Sequence, residues 1–265
     1  MTEDCKSRLR IGAVAYLNAK PLVCQLSRLA PQAEVVVDLP SRLADALAAG
    51  RLDVALIPSV EYFRHPDYRI VGDACVACDG PVMSVKLFGR VPAERIATLD
   101  LDEGSRTSAA LTRILLTERL GLKPSLRPLP IGESLGDSTA DAALLIGDRA
   151  IREPAGRFAF IWDLGEQWGC WTGLPFVFAM WVARPGVELG NLAAALCAAR
   201  DEGVCRLDEI AAEESVKLAI PVATCRRYLR NHLGFELGPR QREGLERFRT
   251  LAAAHQLVPV GYASA

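Results

Sequence analysis

The 265-residue chain has only three histidines, His65, His232 and His255, and no two of them stand at a metal-ligand spacing. No GxSxG, P-loop or GxGxxG follows a strand-like run. A nucleophilic triad, a nucleotide cofactor and a bound metal are therefore not expected. Charge of either sign is not in excess: 31 Lys and Arg face 32 Asp and Glu, for a formal net charge of −1. With no basic run or basic helix, the chain lacks the footprint of a nucleic-acid binder. Long hydrophobic runs are missing too. The longest, LPFVFAMWVA at 174–183, has ten residues, where a bilayer span needs about 20. The opening residues MTEDCKSRLR carry no apolar segment of the secretory kind. These readings predict a protein of the cytoplasm with no membrane span.

Eight cysteines are present, at 5, 24, 75, 78, 170, 197, 205 and 225. Cys75-Val-Ala-Cys78 has zinc or redox spacing, but no second pair matches it. The pair also lies in a strand-like run, where residues three apart point to opposite faces. Buried, inert thiols are the expectation.

Half the residues are hydrophobic and about a quarter charged, an ordinary globular balance. RIGAVAY (10–16), AEVVVDL (33–39) and DVALIP (53–58) read as strands. Helices separate them: one follows Pro21, and another spans 40–50 with Ser41 as cap and Gly50 as stop. Strand-helix-strand alternation means parallel pairing and an α/β class. YRIVGDACVAC (68–78) and VMSVKLFGR (82–90) come next, the second a strand with Ser84 and Lys86 on one face. The alternation then restarts: strands at 97–102, 125–130, 141–147 and 158–164, with a helix over 105–120. A long strand at 175–184 precedes four helices, the last over about 239–257. The strands 82–90 and 175–184 read as two crossings between α/β lobes. They predict a hinged clamshell, with residues 1–86 and 177–265 in one lobe and 87–176 in the other. Its ligand would lie in the cleft, at strand C-termini and helix N-termini.

Five stretches carry polar groups at those positions. Gly104-Ser105-Arg106-Thr107-Ser108 precedes a helix that needs one cap. Free N–H groups, three hydroxyls and a guanidinium there suit a carboxylate. IGDRA (146–150) places Gly147 and Asp148 after a strand, as a cap or as ligand contacts. AYLNAKP (15–21) offers Asn18, a turn residue or a donor and acceptor for a ligand. In PSVEYF (58–63), Ser59 caps a short helix or meets the ligand. In GPVMSVKLF (80–88), Ser84 interrupts an apolar strand and needs a partner.

Taken in order and spacing, AVAYLNAKPL, LPSRLADALAAGRLDVALIPSVEYF, DGPVMSVKLF, LDEGSRTSAAL, LLIGDRA and WTGLPFVFAMWVAR resemble the chorismate dehydratase family of the futalosine route to menaquinone. The resemblance runs over about residues 8–184, more loosely through the C-terminal helices. It implies a type II periplasmic-binding-protein fold used as a cytoplasmic, cofactor-independent hydro-lyase. It implies that chorismate loses its ring hydroxyl, with the hydrogen of the adjacent ether-bearing carbon, as water. The product is 3-[(1-carboxyvinyl)oxy]benzoate. It also implies Asn18 and Ser84 as the residues nearest the chemistry. Ser59, Ser105, Arg106, Thr107, Ser108, Gly147 and Asp148 then become the expected substrate contacts, the 105–108 group holding one of the dianion's carboxylates. Two alternatives share the fold: the dihydroxynaphthoate-forming enzyme of the same route, and a solute-binding or effector-sensing protein. The lack of a signal segment, and of room for a helix-turn-helix before residue 10, favours the enzyme.

Overall fold

The computed structural model of the protein describes residues 8–152 and 156–259; Cys5 and most of the opening decapeptide lie outside them. Eleven strands are described: β1 Leu9–Val14, β2 Ala33–Asp38, β3 Val54–Pro58, β4 Arg69–Cys78, β5 Val85–Gly89, β6 Thr98–Asp102, β7 Ser125–Leu129, β8 Ala142–Ile146, β9 Phe160–Asp163, β10 Phe176–Ala183 and β11 Gly234–Glu236. They form two sheets, ordered β11-β4-β10-β3-β1-β2 and β7-β6-β8-β5-β9.

The two sheets share a plan. β1 pairs parallel with β2 and β3, and β6 pairs parallel with β7 and β8. In each sheet a strand arriving from the other joins antiparallel: β10 beside β3, and β5 beside β8. Fully apolar strands such as β3, β8 and β10 are buried on both faces. Along β8 the period of two is visible. Ala142, Leu144 and Ile146 join the main core, while Ala143 and Leu145 pack with Phe88, Leu129 and Ala150 in a second cluster. The C-terminal helices Leu192–Cys205 and Pro239–Ala254 pack on β4 and β10 of the first sheet, and Leu207–Leu218 packs on the helix Val222–Arg227.

Several local expectations change. The strand expected over 82–90 begins only at Val85. Residues 82 and 83 are drawn out of the ladder because their N–H groups donate to the Asp163 carboxylate, at 2.8 and 2.6 Å. The crossings between sheets are therefore the segments 79–84 and 173–175 rather than strands. Ser41 does not cap its helix: Pro40 takes the first helical position and no side chain caps it. Ser59 is the first residue of its helix, Ser59–Arg64, and its hydroxyl donates to the Val177 carbonyl instead. The helix expected over 105–120 runs Thr107–Leu120, ended by left-handed Gly121, with no side chain capping its start.

A helix at Leu164–Thr172 was not foreseen. Asp163 caps it, accepting from the Gly165 and Glu166 N–H groups at 3.0 and 3.2 Å. Gly165 lets it press on the first crossing, because a Cβ there would meet the Gly80 carbonyl at 2.5 Å. The helix expected through 222–234 also breaks. Val222–Arg227 is α-helical, Tyr228–His232 forms one π-turn, and β11 follows.

One carboxylate thus holds both a helix start and the first crossing. Asp163→Ala strands four N–H donors. It should cost about 2–4 kcal/mol of stability, read as a shift of the urea midpoint with the slope unchanged.

Candidate active site

The C-terminal ends of four parallel strands meet between the sheets. Val14 ends β1 and Tyr16 follows it, Pro58 ends β3, Gly104 follows β6, and Ile146 ends β8 with Gly147 after it; all line one narrow cleft. Val82, Val85 and Phe178 complete a mostly apolar wall. The polar groups facing it are Asn18, Ser84, Ser105, Arg106, Thr107 and Ser108. Six expected residues, and Gly147 with them, therefore share one cavity. Ser59 and Asp148 stand behind its wall.

The cluster before the Thr107–Leu120 helix divides into two kinds. Thr107 Oγ1 accepts from the Val60 N–H at 3.2 Å and lies 3.4 Å from Ser59 Oγ. It is a bridge between the two sheets' helices. Arg106 bridges likewise, with Asp45 at 2.7 Å and buried Glu61 at 3.4 Å; its fork is engaged by protein carboxylates. The Ser105 and Ser108 hydroxyls bond no protein group among the described residues, and both face the cleft. They lie beside the helix's free N–H groups, an arrangement that attracts an anion.

The loop that carries them is held from below. Buried Asp102 accepts from the Gly104 N–H at 2.9 Å, the Ile146 N–H at 3.2 Å and Arg149 at 2.5 Å. Across the cleft the Tyr16 ring fills the space a side chain at Gly147 would need, since a Cβ would lie 3.0 Å from three ring atoms. Gly147 also has φ +63°, which an L side chain rarely adopts. Tyr16 stands in the quoted AYLNAKP stretch, yet only the fold shows its use.

At the other end, Ser84 is buried and accepts a 2.7 Å hydrogen bond from the Tyr228 hydroxyl. Asn18 Oδ1 is buried without a hydrogen-bond partner among the described residues. An orphaned buried amide oxygen on a cavity wall calls for a partner from the cavity. Cys75 and Cys78 are buried in β4, and burial pushes the Cys75 thiol up to about 12 and the Cys78 thiol up as well. No helix among the described residues is long and apolar enough to cross a membrane.

Residues 9–254 match the menaquinone biosynthesis family. The chain belongs to that family. A chorismate dehydratase of Thermus thermophilus is 34% identical over 256 residues, covering 90% of this chain and 93% of the relative. The fold is also that of a protein from Archaeoglobus fulgidus, with TM-score 0.75 at 15% identity over 96% of this chain and 100% of that one. The periplasmic aliphatic sulphonate binding protein SsuA of Escherichia coli has TM-score 0.63 at 15% identity, over 96% and 89%. These likenesses identify the family's α/β architecture as the two-lobed periplasmic-binding-protein fold.

Asp148 couples the site to pH. Its carboxylate accepts from the Leu17 N–H at 3.1 Å, across the cleft. Burial pushes its carboxyl up to about 6, against the Leu17 bond and the charge of Lys20, with Glu214 adding to the rise. The folded state thus holds a proton over a range where the unfolded chain, near 3.8, has lost it. The stability from this group is full below that lower value and is lost as pH rises to about 6. Asp148→Asn removes the loss while the amide oxygen still accepts from Leu17. The variant should gain about 2–3 kcal/mol over the parent at pH 7.5 and much less at pH 4.5, measured by urea unfolding at both.

Proposed function

We propose that the protein is a chorismate dehydratase: a cytoplasmic, cofactor-independent hydro-lyase of the futalosine route to menaquinone. The observation that carries this is the pairing of two unlike polar ends in one apolar cleft. One end offers the unengaged Ser105 and Ser108 hydroxyls beside free helix N–H groups, suited to a carboxylate. The other offers Asn18 and Ser84, neutral and buried, suited to a hydroxyl and a second carboxylate. Chorismate offers both kinds of group: two carboxylates and a ring hydroxyl. The 34% identity to a chorismate dehydratase over most of the chain supports the same reading.

Neither Asn18 nor Ser84 is a base at neutral pH. The substrate's own enolpyruvyl carboxylate is tethered to the carbon that loses its hydrogen, and it takes the proton. Asn18 and Ser84 hold that carboxylate and the departing hydroxyl in line, so orientation replaces a strong base. Aromatisation of the ring supplies the driving force. The expected lobes, 1–86 with 177–265 and 87–176, close on the substrate, with their bounds moved to the crossings 79–84 and 173–175 because Val85 and Lys86 pair in the second sheet and Phe176 in the first; the Arg106 and Thr107 bridges join the two.

Incubation with chorismate should develop the ultraviolet spectrum of 3-[(1-carboxyvinyl)oxy]benzoate. Saturable binding with no spectral change would make the protein a binding protein instead. Ser84→Ala and Asn18→Ala should each cut turnover by about 100-fold or more, in the range of a lost positioned donor. Asp148→Asn should cost less, because Asp148 lies behind the wall. If Asp148→Asn abolishes turnover while Ser84→Ala stays active, Asp148 is the base and the substrate-assisted route is wrong.

A further inference from the structure

Tyr228 lies 144 residues from Ser84 in sequence, yet the two hydroxyls are 2.7 Å apart in a fully buried setting. It stands at the start of the π-turn Tyr228–His232. Such i→i+5 turns are rare and frequently stand at functional sites. The turn is fastened to the first crossing a second time, since His232 Nδ1 lies 2.9 Å from the Pro81 carbonyl. Asn18 stands near the same hydroxyl. Asn18 and Ser84 line the cleft, whereas Tyr228 does not. A buried tyrosine hydroxyl needs a partner wherever it is, but here the partner is Ser84, a polar side chain that faces the cleft.

We propose that Tyr228 is the positioning residue for this reaction: by donating to Ser84 Oγ it turns the Ser84 proton into the cleft, toward the hydroxyl that leaves the ring. The inference rests on the dehydratase reading. The two hydroxyls form a directed pair: the phenol donates to Ser84, and the Ser84 O–H is left to donate to the substrate. Asn18 Oδ1, which has no protein partner among the described residues, remains to accept from the same ligand. Donation along a chain strengthens its last member. Burial, with Asp148 nearby, pushes the phenol far up from its ordinary value, so Tyr228 keeps its proton throughout. In the reaction the electron pair of the breaking C–H bond becomes the new ring double bond. The C–O pair leaves with the hydroxyl, and the hydrogen taken from carbon ends on that oxygen as water. Tyr228 and Ser84 neither gain nor lose a proton in sum. They lower the charge on the departing oxygen as the C–O bond opens.

The test is a double-mutant cycle on chorismate turnover, comparing the parent protein, Tyr228→Phe, Ser84→Ala and both together. Tyr228→Phe should lower kcat by about 10- to 100-fold, less than loss of a direct donor, with KM within about threefold. In the Ser84→Ala background the same change should lower kcat by no more than about twofold, because Tyr228 acts through Ser84. Replacing Tyr228 with 3,5-difluorotyrosine keeps the ring and hydroxyl and should fold even where phenylalanine does not. Its more acidic hydroxyl should change kcat by at least about twofold at constant KM, in keeping with a donor role. An unchanged kcat in Tyr228→Phe or in the fluorinated protein overturns the proposal, as does a full further loss in the Ser84→Ala background. A parent protein that leaves chorismate unchanged overturns the dehydratase reading and this inference with it, an outcome distinct from all of these.

Discussion

A chain that passes from one sheet to another must leave the hydrogen-bond ladder, and its freed N–H groups need acceptors. At the first crossing that acceptor is the Asp163 carboxylate, which bonds the N–H groups of residues 82 and 83 and the start of the next helix together. The Ser84 end of the cleft follows from it. Ser84 is the next residue, placed by the crossing rather than by a strand. Gly165 brings the helix against Gly80, and His232 and Tyr228 approach the same segment from the C-terminal helices.

The opposite end of the cleft is built on contacts between lobes. Thr107 with Val60 and Ser59, and Arg106 with Asp45 and Glu61, join residues of the two sheets' helices and turns there, as Asp148 with Leu17 does beside Asn18. The surplus of donors at 105–108 therefore has two uses. Arg106 and Thr107 hold the halves together, and Ser105 and Ser108 stay unengaged. A substrate carboxylate would meet the serines and the helix N–H groups first, and would compete with Asp45 and Glu61 for the guanidinium.

The parallel trios were legible because β-branched runs such as AEVVVDL stop at proline or glycine. The late start of β5 was not, since the residues that withdraw Val82 and Met83 from the strand sit some 80 positions away, at Asp163. A signal for the missed helix did exist. Asp163 followed three residues later by Glu166, with Gly173 at the far end, is a cap-and-stop pattern, but the glycines inside the run hid it. At the site, strand ends pointed to Asn18, Ser84, the 105–108 cluster and Gly147, which do line the cleft. The same rule pointed to Ser59 and Asp148, which lie one layer back, because a residue at a strand end can face the neighbouring backbone as readily as the cavity. Tyr228 carried no local signal: LRNHLG reads as plain helix, and only packing brings its neighbour to Ser84.

The position of Ser84 beside the first crossing has a mechanical consequence. Points close to an axis of rotation travel least. If the halves swing about the segments 79–84 and 173–175, Ser84, which lies on the first of them, and Tyr228, bonded to it, travel little, whereas groups farther from the segments sweep a longer path. That hydroxyl pair is then the fixed point of the cleft, against which a bound ring would keep its register while the walls shift.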